Sequence, residues 1–208
     1  MKYIRTLVLV FTLLYVSNLN AQFTWTPAKV ILKNGESFRG LVKFPKNFNS
    51  IITIGSSKFK YRKNKKSKVQ KLGSDTVEEV VFGDEDFRTV HFKYVSVSKN
   101  RSILMEEIIR GKVSLFARTT LTTETIVDYT LEDYETTIYY DKIDYYLIKE
   151  TEIKATKVPA VTTKYMYKSF IKKYFEDCDK LVGYIEDELY SRNELLELVE
   201  DYNLLCDE

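Results

Sequence analysis

Lys29-Val30-Ile31-Leu32-Lys33-Asn34-Gly35-Glu36-Ser37-Phe38-Arg39-Gly40-Leu41-Val42-Lys43-Phe44 is the stretch that decides the fold. Two runs of strand formers flank Asn34-Gly35, the strongest short hairpin signal, and a type I′ turn there needs positive φ at both central residues. Pro45 ends the return strand, because proline cannot donate to a ladder. The chain therefore opens on antiparallel sheet.

The pattern continues downstream. Ile51-Ile52-Thr53-Ile54 and Lys58-Phe59-Lys60-Tyr61-Arg62 read as a second hairpin about Gly55-Ser56-Ser57. Phe59 and Tyr61 fall on one face, and Lys58, Lys60 and Arg62 on the other, a period of two. The segment Arg62 to Lys68 reads as a solvated basic loop. Val77–Phe82 and Phe87–Val95 read as further strands, joined at Gly83-Asp84-Glu85-Asp86. Ile103–Ile109 fits either a strand or a short helix. Lys112–Arg118, Thr125–Tyr129, Glu135–Tyr140 and Asp144–Lys149 read as separate strands. Ile153–Val158 is a weaker one, stopped by Pro159.

From Thr163 onward the period changes from two to about four. Tyr167, Ile171 and Phe175 form one helical row, and Met166, Phe170 and Tyr174 another. Leu181, Val182, Ile185 and Leu189 make a second stripe. Ser191 and Glu194 have the spacing of a capping box ahead of Leu195, Leu196, Val199 and Tyr202. Three helices are expected.

Cys178 precedes the second helix and Cys206 follows the third. An antiparallel pair of helices of similar length brings its open ends together, so the two cysteines reach bridging distance. Closing a loop of about 29 residues is worth roughly 3 kcal/mol in the chain-entropy model.

The first 21 residues have a different purpose. Lys2 and Arg5 are followed by an apolar run from Thr6 to Val16 and a polar stretch ending at Ala21. That is the layout of a cleavable secretory signal. The run is about 11 residues, short of the roughly 20 that span a bilayer. Cleavage after Ala21 leaves 187 of the 208 residues, beginning at Gln22. No Cys stands at the cut to carry a lipid anchor.

The full chain has 32 basic and 30 acidic residues, and loss of Lys2 and Arg5 makes the mature chain formally neutral. The neutrality hides an asymmetry. Residues 22–73 hold 13 Lys or Arg and one acid, Glu36, while residues 74–208 carry a net charge of −12. Such a split suits a polyanion-binding face; the plainer reading is that the halves neutralise one another in the fold. With 16 Tyr and 12 Phe the composition favours pleated sheet.

Several motifs, taken in chain order, carry a resemblance. They are Val30-Ile31-Leu32-Lys33-Asn34-Gly35 with Gly40, Gly111-Lys112-Val113-Ser114-Leu115-Phe116, Tyr145-Tyr146-Leu147, Tyr174-Phe175-Glu176-Asp177-Cys178 and Tyr202-Asn203-Leu204-Leu205-Cys206. Together with the signal, the chain resembles signal-bearing exported proteins of flavobacteria and related Bacteroidetes, a family with no assigned activity. The resemblance spans most of the mature chain. It implies an envelope location and agrees with paired tail cysteines. A C-terminal sorting module is not recognisable, which favours periplasm or outer-membrane periphery over release to the medium.

Catalytic chemistry is poorly represented. His91, the single His, alternates between Val90 and Phe92 and reads as a sheet-surface residue, and no nucleophile elbow is present. Glu78-Glu79, Asp84-Glu85-Asp86 and Glu106-Glu107 supply carboxylate pairs, the raw material of a glycoside hydrolase. One His and two Cys do not make a zinc site. No cofactor motif is found. The basic segment Lys58, Lys60, Arg62, Lys63, Lys65, Lys66, Lys68 and Lys71, with Phe59 and Tyr61 interleaved, is the candidate polyanion site. Export argues against nucleic acid and toward acidic glycans, lipid phosphates or anionic lipid. Its structural counterpart is a hairpin edge kept soluble by lysine.

The expectation is an α+β protein: signal 1–21, an antiparallel region 22–160 with a half-barrel as its curled form, and helices 161–208 packed on the sheet and stapled by Cys178–Cys206. The expected role is a non-enzymatic envelope protein that binds a partner protein or envelope polymer. The alternatives are a polyanion or membrane-surface binder using residues 58–71 and a carboxylate-based hydrolase.

Overall fold

The structure, a computed structural model, describes residues 25–44, 58–83, 89–128, 134–160 and 163–206. The signal segment 1–21, the Ile51–Ser57 part of the second hairpin and the Asp84-Glu85-Asp86 turn lie outside them. Among the described residues ten strands form one antiparallel sheet in the order β10-β9-β8-β7-β6-β5-β1-β2-β3-β4. They are β1 Thr26–Leu32, β2 Ser37–Lys43, β3 Lys58–Arg62, β4 Gln70–Gly73, β5 Val77–Phe82, β6 Val90–Ser98, β7 Arg101–Ile109, β8 Val113–Asp128, β9 Tyr134–Lys149 and β10 Thr156–Lys157. Three helices follow: α1 Lys164–Tyr174, α2 Asp179–Glu186 and α3 Leu195–Leu205.

The opening hairpin forms, but its turn differs from the type I′ expectation. The Gly35 amide donates to Leu32 O at 2.9 Å, and the Leu32 amide to Glu36 O at 2.8 Å. Gly35 has φ +85°, while Asn34 stays at negative φ and accepts the Glu36 amide on its Oδ1 at 3.1 Å. One left-handed residue is enough in a three-residue loop with a bulge. Of the second hairpin only Lys58–Arg62 lies within the described residues, and it is a strand as expected. β3 pairs with β2 on one side and with β4 on the other. β4 has no strand signal in the sequence, because Gln70-Lys71-Leu72-Gly73 carries a single large apolar side chain.

Other readings merge. Val113–Arg118 and Thr125–Asp128 belong to one 16-residue strand, and Glu135–Tyr140 and Asp144–Lys149 to another, paired without a break from Val113↔Lys149 to Asp128↔Tyr134. The ambiguous Ile103–Ile109 segment is strand, held by β6 and β8.

Alternation gives the sheet two distinct faces. One carries Val30, Val42, Phe59, Tyr61, Val80, Phe92 and Leu104, and further along Leu115 and Leu147, all buried. Phe44 meets the rings of Phe92 at 5.1 Å and Phe82 at 5.2 Å, so the first strands curl toward this face. The opposite face carries Val95, Met105, Phe116 and Tyr146, which cluster with Ala155. Ala155, beside β10, donates its amide to Ser96 O on β6 at 2.8 Å. Those strands would stand about 19 Å apart in a flat sheet, so the last strands curl the other way. Among the described residues no ladder joins β10 to β4, and the sheet they form is open.

The helices cover the outer side of the second curl. Tyr167, Ile171, Phe175, Leu181, Ile185, Leu195, Leu198, Val199 and Tyr202 share one core with Val113, Leu115 and Leu147. Each fully buried Leu or Ile there contributes about 1.5–3 kcal/mol. Thr163 caps α1 through its hydroxyl, and Ser191 with Glu194 forms the expected capping box. Three stripe residues fall outside the core: Met166 is 55% exposed, Leu196 39%, and Leu189 57%, the last because α2 ends at Glu186 and the chain turns away at Glu188, which takes φ 60°. Cys178 and Cys206 are bridged with Cα atoms 5.6 Å apart. Among the described residues, no helix is long and apolar enough to cross a membrane.

Candidate polyanion-binding face

The polar side of the first curl is where the predicted cations gather. In β3 the apolar Phe59 and Tyr61 point into the core, and so Lys58, Lys60 and Arg62 must point away from it. Lys63, Lys65, Lys66 and Lys68 occupy the β3–β4 turn and are exposed, as is Lys71 on β4. Arg62 is half-buried. Its guanidinium lies 4.0 Å from the Trp25 ring centroid, and Nη1 donates to Lys65 O at 3.3 Å. The turn is thus tied to the strand, with the Asn64 side chain accepting the Lys66 amide at 3.0 Å.

The register adds cations that the sequence reading did not assign to the site. Lys43 on β2 stands opposite Lys60, and Lys60 opposite Lys71, giving a row of three lysines across three strands. Lys29 on β1 stands opposite Arg39 on β2. A groove of about 650 Å³ lies here, lined by Lys29, Arg39, Lys63 and Lys65 over an apolar floor of Pro27 and Leu41. Alternation in β1 and β2 put Lys29, Arg39 and Lys43 on the polar face, but only the register reveals that they adjoin the basic hairpin. On the opposite, core face Gly40 leaves room for Tyr61: a Cβ there would stand 2.4 Å from the Tyr61 ring.

Among the described residues, no carboxylate pairs with Lys60, Lys63, Lys65, Lys66, Lys68 or Lys71. The helical acids use nearby lysines instead: Asp177 with Lys149 at 2.7 Å, Glu188 with Lys164 and Lys168, and Glu186 with Lys172.

His91 is part of a polar network rather than a bare surface residue. Its Nδ1 lies 2.6 Å from Glu79 Oε1, and its Nε2 2.9 Å from Thr89 Oγ1. Lys93 contacts Glu107 at 2.9 Å, and Arg110 bridges Glu107 at 2.5 Å and Glu79 at 2.9 Å. Ligand atoms of Glu79, His91 and Glu107 lie within 4.8 Å of one another, a spacing that could hold a cation. Lys93 and Arg110 already balance both carboxylates. Burial alone would raise the pKa of Glu107, but hydrogen bonds from Arg110 and Lys93 hold it below the usual range. That is the wrong direction for a general acid. The sequence pairs Glu78-Glu79 and Glu106-Glu107 each split across the two faces of their strand, so neither pair is a dyad.

No protein-family model, curated protein or solved structure matches the chain.

Proposed function

We propose that this is an exported, non-enzymatic envelope protein that binds an anionic envelope polymer through the basic face of β1–β4. The row Lys43–Lys60–Lys71 carries the reading. Like charges directly opposite one another destabilise a sheet. A sheet edge kept soluble by charge needs only scattered lysines. Three in register, beside a groove lined by four further cations, form a surface suited to a string of negative charges. Export rests on the signal layout of residues 1–21 and agrees with the Cys178–Cys206 bridge.

The test is retention on a sulfated polysaccharide matrix under a salt gradient. The mature chain should elute late. A variant with Lys43, Lys60, Lys63, Lys65 and Lys71 changed to Gln should elute near the start. Equal elution of the two proteins would overturn the reading. Retention on anionic vesicles but not on the polysaccharide would move the target from polymer to membrane surface.

A further inference from the structure

Tyrosines aside, the buried polar side chains among the described residues are Arg118, Thr120 and Asp144, and they stand together. Arg118 on β8 faces Asp144 on β9, and Thr120 faces Lys142 at the next position on the same face. This is the inner side of the second curl, one step beyond Phe116 and Tyr146. Directly opposite side chains have Cβ atoms about 5 Å apart, close enough for an ion pair. None forms. Asp144 gives Oδ2 to Lys157 Nζ at 2.7 Å, while its Oδ1 is buried without a partner. Arg118 Nε is also buried without a partner.

Unpartnered buried polar atoms are costly, most of all on charged groups, and folded proteins keep few of them. Here a donor and an acceptor are left over side by side. Among the described residues, Arg118 and Lys142 share this face with Asp144, and Lys157 pairs with it, so three cations accompany one carboxylate there. Lys157, 47% exposed at its side chain, faces solvent.

The geometry points to a binding site for a small hydroxycarboxylate, of which an acidic sugar is the natural example in an envelope. The ligand carboxylate would accept from Arg118, whose planar guanidinium suits that group. A neighbouring hydroxyl would donate to Asp144 Oδ1. A neutral sugar lacks the charge, and a simple carboxylate lacks the donor. The site uses none of the side chains of the basic face, so it stands or falls separately.

The experiment is calorimetric titration of the mature protein with sodium glucuronate, glucose and acetate. Glucuronate should bind saturably, with acetate and glucose at least about tenfold weaker. Arg118→Leu should abolish binding. Asp144→Asn keeps the shape but exchanges an acceptor for an amide, and should erase the preference for glucuronate over acetate. Changing Lys60 and Lys71 to Gln should leave all three titrations unchanged. The proposal is overturned if glucuronate does not saturate the protein, or if Asp144→Asn keeps the preference. Either result makes the cluster a hydrated structural pair.

Discussion

Asn203 on α3 grips Val113 on β8 by both ends of its amide: Oδ1 accepts from the Val113 N–H at 2.8 Å, and Nδ2 donates to the Val113 carbonyl at 2.9 Å. It mimics a neighbouring strand at the point where the ladder begins. Gly111 makes room for it, since a Cβ there would lie 2.6 Å from the Asn203 amide. Two motifs far apart in the chain are thereby one contact.

Removing that contact should loosen the helices from the sheet. Asn203→Ala leaves both polar groups of Val113 without their partner, and each such loss costs about 1–3 kcal/mol. Urea denaturation should show a clear loss of stability for Asn203→Ala. Gly111→Ala should lose stability too, because the added methyl displaces the same amide. An unchanged midpoint in both variants would mean that α3 is held by its apolar face alone.

The disulfide closes the same end of the unit, where the Cys206 carbonyl accepts from Lys112 Nζ at 3.0 Å. Cys178 and Cys206 are separated by 28 positions, and a loop of that size is worth about 3 kcal/mol. Replacing both with Ser should lower the thermal midpoint by a clear margin. The basic face lies on β1–β4, remote in the sheet order from the bridged helices. Retention on the polyanion matrix should therefore persist at temperatures where the variant remains folded.

Low pH should weaken the sheet at the Glu79–His91–Glu107 network. Glu107 titrates below the usual Glu value of 4.5 in the folded protein, because hydrogen bonds from Arg110 and Lys93 outweigh its burial. A depressed folded pKa means that the stabilisation is complete above the unfolded value and is lost as pH falls through the folded one. Asp177, held low by Lys149 and Tyr202 against its own desolvation, acts in the same direction. Denaturant midpoints should fall as pH drops below about 4.5, and the fall should be shallower in Glu107→Gln. A variant with the parent's full acid sensitivity would place the effect elsewhere.

Much of this architecture was written locally. Asn34-Gly35 marked the first hairpin, the period of four marked the helices, and Ser191 with Glu194 marked the third helix start, since each is a short-range rule. What could not be read was anything set by register. Lys43 and Lys71 are 28 positions apart, yet each lies opposite Lys60 only because β3 sits between β2 and β4. Arg118 and Asp144 looked like ordinary strand charges until the long β8–β9 ladder placed them across from one another. The strand breaks read near residues 118–125 and 140–144 failed for a related reason. Polar residues interrupt the apolar pattern there, but a continuous partner strand keeps the ladder going.

The basic face should show opposite effects on stability and binding. Lys60 has a lysine on either side, Lys43 and Lys71, and each like-charge pair costs roughly 0.2–1 kcal/mol. Lys60→Glu replaces two repulsions with two attractions. The variant should therefore be more stable than the parent in low-salt denaturation, with the gain shrinking as salt screens the pairs. The same change removes a central positive charge from the face and introduces a negative one, so retention on the sulfated matrix should drop more than for Lys60→Gln. A surface selected only for solubility would gain stability without losing any partner. Gain in stability together with loss of retention would show that the lysine row is kept for what it binds. Loss of both would mean that Lys60 is instead needed to hold β3 between its neighbours.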